Sequence, residues 1–191
     1  MKIDGLEIQN ELLERLLNNR TRRTPTLLGG PLSGPYGSSS TMILARKLAL
    51  GGPFRAPHHT ASEIALIGKQ GNRFRCEVAL AHNGIFFLDE VIEFRTAVMR
   101  QLNIALTNGE VRVVDGTLTG GECASNVWLI GAMHPCPCGA PAQECKCGSP
   151  ALEDWNKRRK ALIELFKFDE IGVEHGPDGV KFAGVVTTPH G

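Results

Sequence analysis

Apolar and polar positions change period several times along the chain, and each change marks an element. Residues 6–18, LEIQNELLERLLN, place apolar side chains at Leu6, Ile8, Leu12, Leu13, Leu16 and Leu17. From Leu12 onward this is helical spacing, which predicts an amphipathic helix ending near Asn18-Asn19. TPTLLGG follows as a short buried strand, then a glycine-rich loop, then a helix from Thr41 to Leu50 stopped by Gly51-Gly52-Pro53. Residues 53–68 begin as a proline-interrupted loop and turn helical after Thr60, an N-cap candidate with Glu63 three residues on.

Gly84 to Glu90, GIFFLDE, is a continuous apolar run ending in two acids, the pattern of a central parallel strand with a polar carboxyl end. Residues 93–106 return to helical spacing through Phe94, Val98, Leu102 and Ala105. EVRVVDGTLT, residues 110–119, alternates around Asp115-Gly116 and predicts a hairpin. Residues 127–133, VWLIGAM, form another buried strand; a cysteine-rich loop (134–148), a charged helix (about 150–167) and a weak terminal strand or hairpin complete the order. Strands alternating with helices predict an α/β fold, a mostly parallel sheet with helices on both faces, and neither an internal repeat nor a long linker divides it.

Composition narrows the class. At 191 residues with 42% hydrophobic and 21% charged residues, the chain suits one soluble domain with at most a small appendage. No apolar run is long enough to span a bilayer, and the start MKIDGLEIQNELLERLL carries acids where a signal peptide needs an apolar core. The expectation is a cytoplasmic protein with no membrane partner. A net charge of +1 gives no global footprint for nucleic acid. Two local basic runs, Arg20 to Arg23 and Lys157 to Lys160, are either solvated helix faces or contact points for DNA.

The chemistry gathers in three places. Asp89 and Glu90, at the end of their strand, sit where open α/β sheets bind ligands. In nucleotide hydrolases the first such acid holds Mg²⁺ and the second polarises the attacking water; a strand ending in plain surface acids is the alternative. Upstream, Gly34-Pro35-Tyr36-Gly37-Ser38-Ser39-Ser40-Thr41 lies on a strand–loop–helix, the order of a phosphate loop G-x-x-x-x-G-K-[ST]. The first glycine and the last threonine are kept, but Ser39 replaces the second glycine and Ser40 the lysine. Helix dipole and amides still attract an anion, worth about 1 kcal/mol, whereas the cation that faces the phosphates is missing.

Third, Cys136-Pro137-Cys138 and Cys145-Lys146-Cys147 form two C-x-C pairs. Four thiolates satisfy a tetrahedral structural zinc, although C-x-C is tighter than the usual C-x₂₋₄-C clip; reduced thiols or a stray disulfide are the alternative. Cys76 and Cys123 stand apart and read as buried small apolar residues. His58 and His59, being adjacent, should point to opposite sides. His134 ends the strand 127–133, beside the acids.

PFRAPHHT (53–60), EVALAHNGIFFLDEV (77–91), NGEVRVVDGTLT (108–119) and GAMHPCPCG…CKCG (131–148) together resemble the magnesium-chelatase-like AAA+ ATPases, in their ComM-related competence-protein branch. The resemblance runs with gaps over about residues 1–170. It implies a P-loop AAA+ three-layer αβα core over 1–175 with a β-hairpin insertion at 110–119, and a tail at 176–191. It also implies ATP with Mg²⁺, a homo- or hetero-hexameric ring with AAA+ relatives, and DNA as a partner.

By the same resemblance Asp89 and Glu90 are the Mg²⁺ and water-activating acids, Thr41 a Mg²⁺ ligand, and Gly34, Gly37, Ser38, Ser39, Ser40, Thr41 and Met42 the nucleotide loop. Three departures stand out: no lysine in that loop, Met133-His134 where the family has Met-Asn, and Lys167 where it has arginine. The family's helical lid after Ile171 is not expected in this chain. The expectation is an ATPase core with weak or absent hydrolysis. Full activity would need another cation, from Arg46, Lys47 or a neighbour's Lys167. The alternatives are a non-catalytic scaffold subunit and a zinc-stabilised DNA-binding module.

Overall fold

The computed structural model describes residues 2–3, 6–7, 10–29, 37–68, 76–113, 121–124, 126–134, 136–138, 146–176 and 179–183. Its centre is a six-stranded sheet. In chain order the elements that build it are β3 (Thr26–Gly29), α2 (Gly37–Leu48), β4 (Phe54–Arg55), β5 (Ile85–Leu88), α5 (Thr96–Asn108), β8 (Trp128–Met133), α6 (Ser149–Phe166), β9 (Asp169–Gly176) and β10 (Gly179–Ala183). The spatial order is β10-β9-β3-β8-β5-β4. Pairing is parallel from β9 to β4, and β10 closes the edge antiparallel to β9.

Every described residue of β3, β5 and β8 is buried, which explains their unbroken apolar runs: both faces of a parallel sheet are covered. Period 2 then divides the side chains. Leu27, Phe86, Leu88, Leu129 and Met133 meet α5, α6 and the short helices α3 (Glu63–Ile67) and α4 (Glu77–Leu80) on one face. Leu28, Ile85, Phe87, Trp128, Ile130 and Ala132 meet α1 (Asn10–Arg22) and α2 on the other. The result is the expected three-layer α/β arrangement.

Several boundaries differ from the sequence reading. Leu6–Glu7 is a strand, β2, paired with β1 (Lys2–Ile3), so the first helix starts only at Asn10. That helix also continues past Asn18-Asn19 to Arg22. Asn19 does not end it because its amide is used elsewhere, donating to Thr26 Oγ1 (3.2 Å) and Asp169 Oδ2 (2.6 Å). Helix α2 begins at Gly37, four residues before Thr41, so Ser38, Ser39 and Ser40 belong to its first turns. The N-cap of α3 is Ser62, whose Oγ accepts from Ala65 N, and Thr60 Oγ1 instead meets His58 Nδ1.

The expected hairpin is present as β6 (Glu110–Val113) paired with β7 (Gly121–Ala124). Its register opposes Val113 to Gly121, and the second strand runs to Ala124, beyond the expected 119; residues 114–120, including Asp115-Gly116, lie outside the described set. Residues 179–183, expected in the tail, form β10 of the sheet.

Candidate active site

In a parallel sheet every loop that leaves a carboxyl end emerges on the same side, and the register shows which residues share it. Leu88 lies opposite Gly131 and Gly29 opposite Met133, so Asp89-Glu90, His134 and the start of the β3–α2 connection leave one edge. β8 separates β3 from β5, which puts His134 between the glycine-rich loop and the two acids.

The acids are not left on the surface. Glu90 Oε1 lies 2.5 Å from His134 Nε2, both side chains being about one-quarter to one-third exposed (25% and 31%). Glu90 reaches this position from a left-handed backbone, φ 48° and ψ 52°, just before the 3-10 turn Val91–Glu93. A glutamate rarely adopts that conformation, and it is maintained only where the surroundings dictate it. Gly131 helps: a Cβ there would sit 3.2 Å from Leu27 Cδ1 and 3.3 Å from Val91 Cγ1, so the bare backbone lets the turn pack down.

The His134 imidazole is raised above its ordinary 6.5, first by the hydrogen bond to Glu90; burial opposes this, and the charges of Glu90, Asp89 and Cys138 reinforce it. The Nδ1 atom of His134 is buried and has no hydrogen-bond partner among the described residues. The sequence pointed to His134 by its place at the strand end. It gave no sign that the imidazole would face Glu90, because that pairing depends on β8 lying beside β5.

The remaining candidates fall in different places. Thr41 is buried at 1% exposure, and Met42 packs against the α1–α2 face of the core. Gly37 to Ser40 offer helix-start amides, the groups that bind anions at such a terminus. Gly34 and Cys145 lie outside the described residues.

Lys167 is exposed and caps the carboxyl end of α6 in a left-handed conformation, its N–H bonded to Ile163 O at 2.7 Å. It precedes β9, whose Asp169 pairs with Thr26 at the amino end of β3. That is the edge opposite Glu90, and about four residues of sheet, roughly 13 Å, lie between. Lys167 is therefore not brought to this chain's own acids. Arg46 is also remote, nine residues beyond Gly37 and so roughly 13 Å down the helix at about 1.5 Å per residue. Its guanidinium lies over the Phe54 ring at 5.4 Å. Arg55 stands nearer the edge but is clasped by Glu77 through two hydrogen bonds of 2.6 and 2.7 Å.

Cys136 is fully buried, Cys138 exposed and Cys147 intermediate, and their Sγ atoms all lie within 4.8 Å of one another. Thiolates at about 2.3 Å from a tetrahedral zinc stand roughly 3.8 Å apart, so this donor set fits such an ion. Cys136 and Cys138 sulfurs at 3.1 Å are too far apart for a disulfide. Cys76 is buried, as expected of a small apolar residue.

His58 and His59 do not diverge: their rings lie 4.1 Å apart, and His59 meets Phe94 edge-on. In the second basic run Arg158 donates to Ile92 O and Arg159 pairs with Glu170, which leaves Lys157 and Lys160 towards solvent. Among the described residues no helix is long and apolar enough to cross a membrane.

Comparison with known proteins places this geometry. The competence protein ComM of Haemophilus influenzae is 39% identical over 87 residues, 46% of this chain and 17% of that protein. YifB of Escherichia coli, described as uncharacterised, is 36% identical over 87 residues with the same coverages. An uncharacterised protein of Mycobacterium tuberculosis is 39% identical over 97 residues, 49% of this chain and 19% of its own length. The chain thus spans less than a fifth of the length of the curated relatives it matches.

Among solved structures, NtrX of Brucella abortus in complex with ATP superposes with a TM-score of 0.54 at 19% identity, covering 82% of this chain and 34% of NtrX. Its ADP complex gives 0.53 at 18%. That likeness concerns the fold, and with the strand order it gives a three-layer α/β core. The sequence profile described as magnesium chelatase, subunit ChlI, matches residues 36–167, more than half of the chain, and this chain belongs to that family.

Proposed function

We propose that the chain is the nucleotide-binding core of a ComM-like AAA+ protein in which ATP binds weakly and hydrolysis is slow or absent. The observation that carries the reading is the Glu90–His134 pair: the carboxylate suited to polarising water is already engaged by an imidazole 2.5 Å away. A carboxylate oxygen that already accepts a hydrogen bond from an imidazole is not open to an attacking water in the same position. Ser40 supports the same conclusion, because Arg46 and Arg55 are engaged elsewhere and Lys167 stands at the opposite edge of the sheet.

In this reading the amides from Gly37 to Thr41 cradle phosphate, Asp89 and Thr41 hold Mg²⁺, and the three thiols hold a structural zinc. The resemblance to the ComM-related branch implies, in this reading, a ring subunit working beside competent relatives on DNA. Lys167, on the far edge, then serves a neighbouring subunit's nucleotide and not its own.

Calorimetric titration of Mg·ATP, with steady-state turnover, tests the proposal on the wild type and on Ser40→Lys. Weak binding by the wild type, tightened at least tenfold by the lysine, is the expected result. Tight wild-type binding with turnover at ordinary ATPase rates would sink it. An unchanged Ser40→Lys variant would mean that the cradle itself is gone, in favour of a zinc-stabilised scaffold.

A further inference from the structure

The connection after β8 begins at the partner of Glu90 and ends on a helix. His134 leaves the strand; fully buried Cys136 follows two residues later, then Cys138. Cys147 stands immediately before Gly148, the N-cap of α6. With all three sulfurs within 4.8 Å, the cluster ties the carboxyl end of β8 to the amino end of α6.

His134 therefore sits between two fixed points, the last strand residue Met133 and the first thiol. Its Nε2 holds Glu90, whose left-handed backbone requires a contact to maintain it. His134 stands only two positions before Cys136 in the sequence, so the imidazole and the first thiol are close neighbours along the chain.

We propose that zinc held by Cys136, Cys138 and Cys147 positions His134 against Glu90, so that metal occupancy and the state of the water-activating carboxylate are linked. This rests on the zinc reading above and adds a regulatory consequence: losing the metal releases Glu90. His134 is a positioning residue in this scheme. Linkage is reciprocal, so disturbing the Glu90–His134 pair must alter zinc affinity by the factor that zinc alters the pair.

The test is zinc affinity of the reduced full-length chain, measured by competition with a chromophoric chelator. Glu90→Gln is expected to weaken zinc about fivefold or more, although Glu90 is not a member of the thiol cluster. His134→Gln should give the same loss and the double variant no more than either alone, because all three remove one contact. Exposed Glu63→Gln, on α3, should leave affinity unchanged. One zinc per chain bound equally well by wild type, Glu90→Gln and His134→Gln overturns the linkage while sparing the centre. A wild type that retains no zinc, with Cys147→Ser no different, overturns the centre and the linkage together.

Discussion

Glu90 accepts a hydrogen bond from His134 across the tips of two neighbouring parallel strands, and it does so from a left-handed backbone. On the proposed reading the imidazole stands where a nucleophilic water would meet the carboxylate, and restoring chemistry would need both a cation at the glycine-rich loop and an unengaged Glu90.

The two requirements separate in mutants. Ser40→Lys alone should bind Mg·ATP more tightly yet turn over slowly. Ser40→Lys with His134→Asn should gain a further hundredfold or so in turnover, at the low end of what a positioned general base contributes, about 10²–10⁴. Phosphate release under saturating ATP distinguishes these outcomes; equal rates in the two variants would show that Glu90 is not restrained by the imidazole.

Asp169 provides the pH dependence. Burial pushes its carboxyl up, but hydrogen bonds from Arg15 and Asn19 and the Arg15 charge outweigh it, and the net shift is below the ordinary 3.8. A depressed folded value stabilises the fold at pH above 3.8, and the contribution drains away as pH falls through the lower folded value. Denaturant midpoints of wild type and Asp169→Asn should therefore differ at pH 6 and converge towards pH 3; a constant difference would contradict the assignment.

Asn19→Ala removes the buried amide that joins α1 to β3 and β9 through Thr26 and Asp169. The expected cost is about 1–3 kcal/mol, that of stranding buried hydrogen-bonding groups. Urea unfolding of this variant beside Arg15→Ala and the double variant should show non-additive losses, since both side chains serve one carboxylate.

Gly84→Ala should be more damaging than its size suggests. A Cβ at position 84 would lie 1.9 Å from Pro53 O and 2.6 Å from Pro53 C, both backbone atoms, so β4 would have to shift away from β5. A loss of about 3 kcal/mol with a lowered melting temperature is expected, and a near-neutral variant would contradict the close approach.

The sequence was most legible where burial forced a pattern. IFFL and WLIGAM are uninterrupted because both faces of the sheet are covered, and α6 showed itself by length and charge. β4 was read as loop, since a strand of two residues between Pro53 and Ala56-Pro57 carries no period. Leu6 and Ile8 were given no element of their own before the helical spacing that begins at Leu12, because leucine serves strand and helix alike. Asn19 was read as a stop signal, whereas its amide is taken up by residues 7 and 150 positions away.

At the candidate site, Asp89, Glu90 and His134 could be placed on one edge from strand ends alone. Their pairing could not, because adjacency of β5 and β8 is a property of sheet order. The position of Lys167 was recoverable in principle: a residue that precedes a parallel strand stands at the amino edge.

The two-residue β4 also bears on solubility. An exposed sheet edge invites a foreign strand to add itself, and long flat edges seed aggregation. Here that flank is Phe54–Arg55, bounded by Pro53 and Pro57, neither of which has an N–H to offer. An incoming strand finds too few rungs to hold it, so the apolar ladder of β5 and β8 stays closed to other chains on this side.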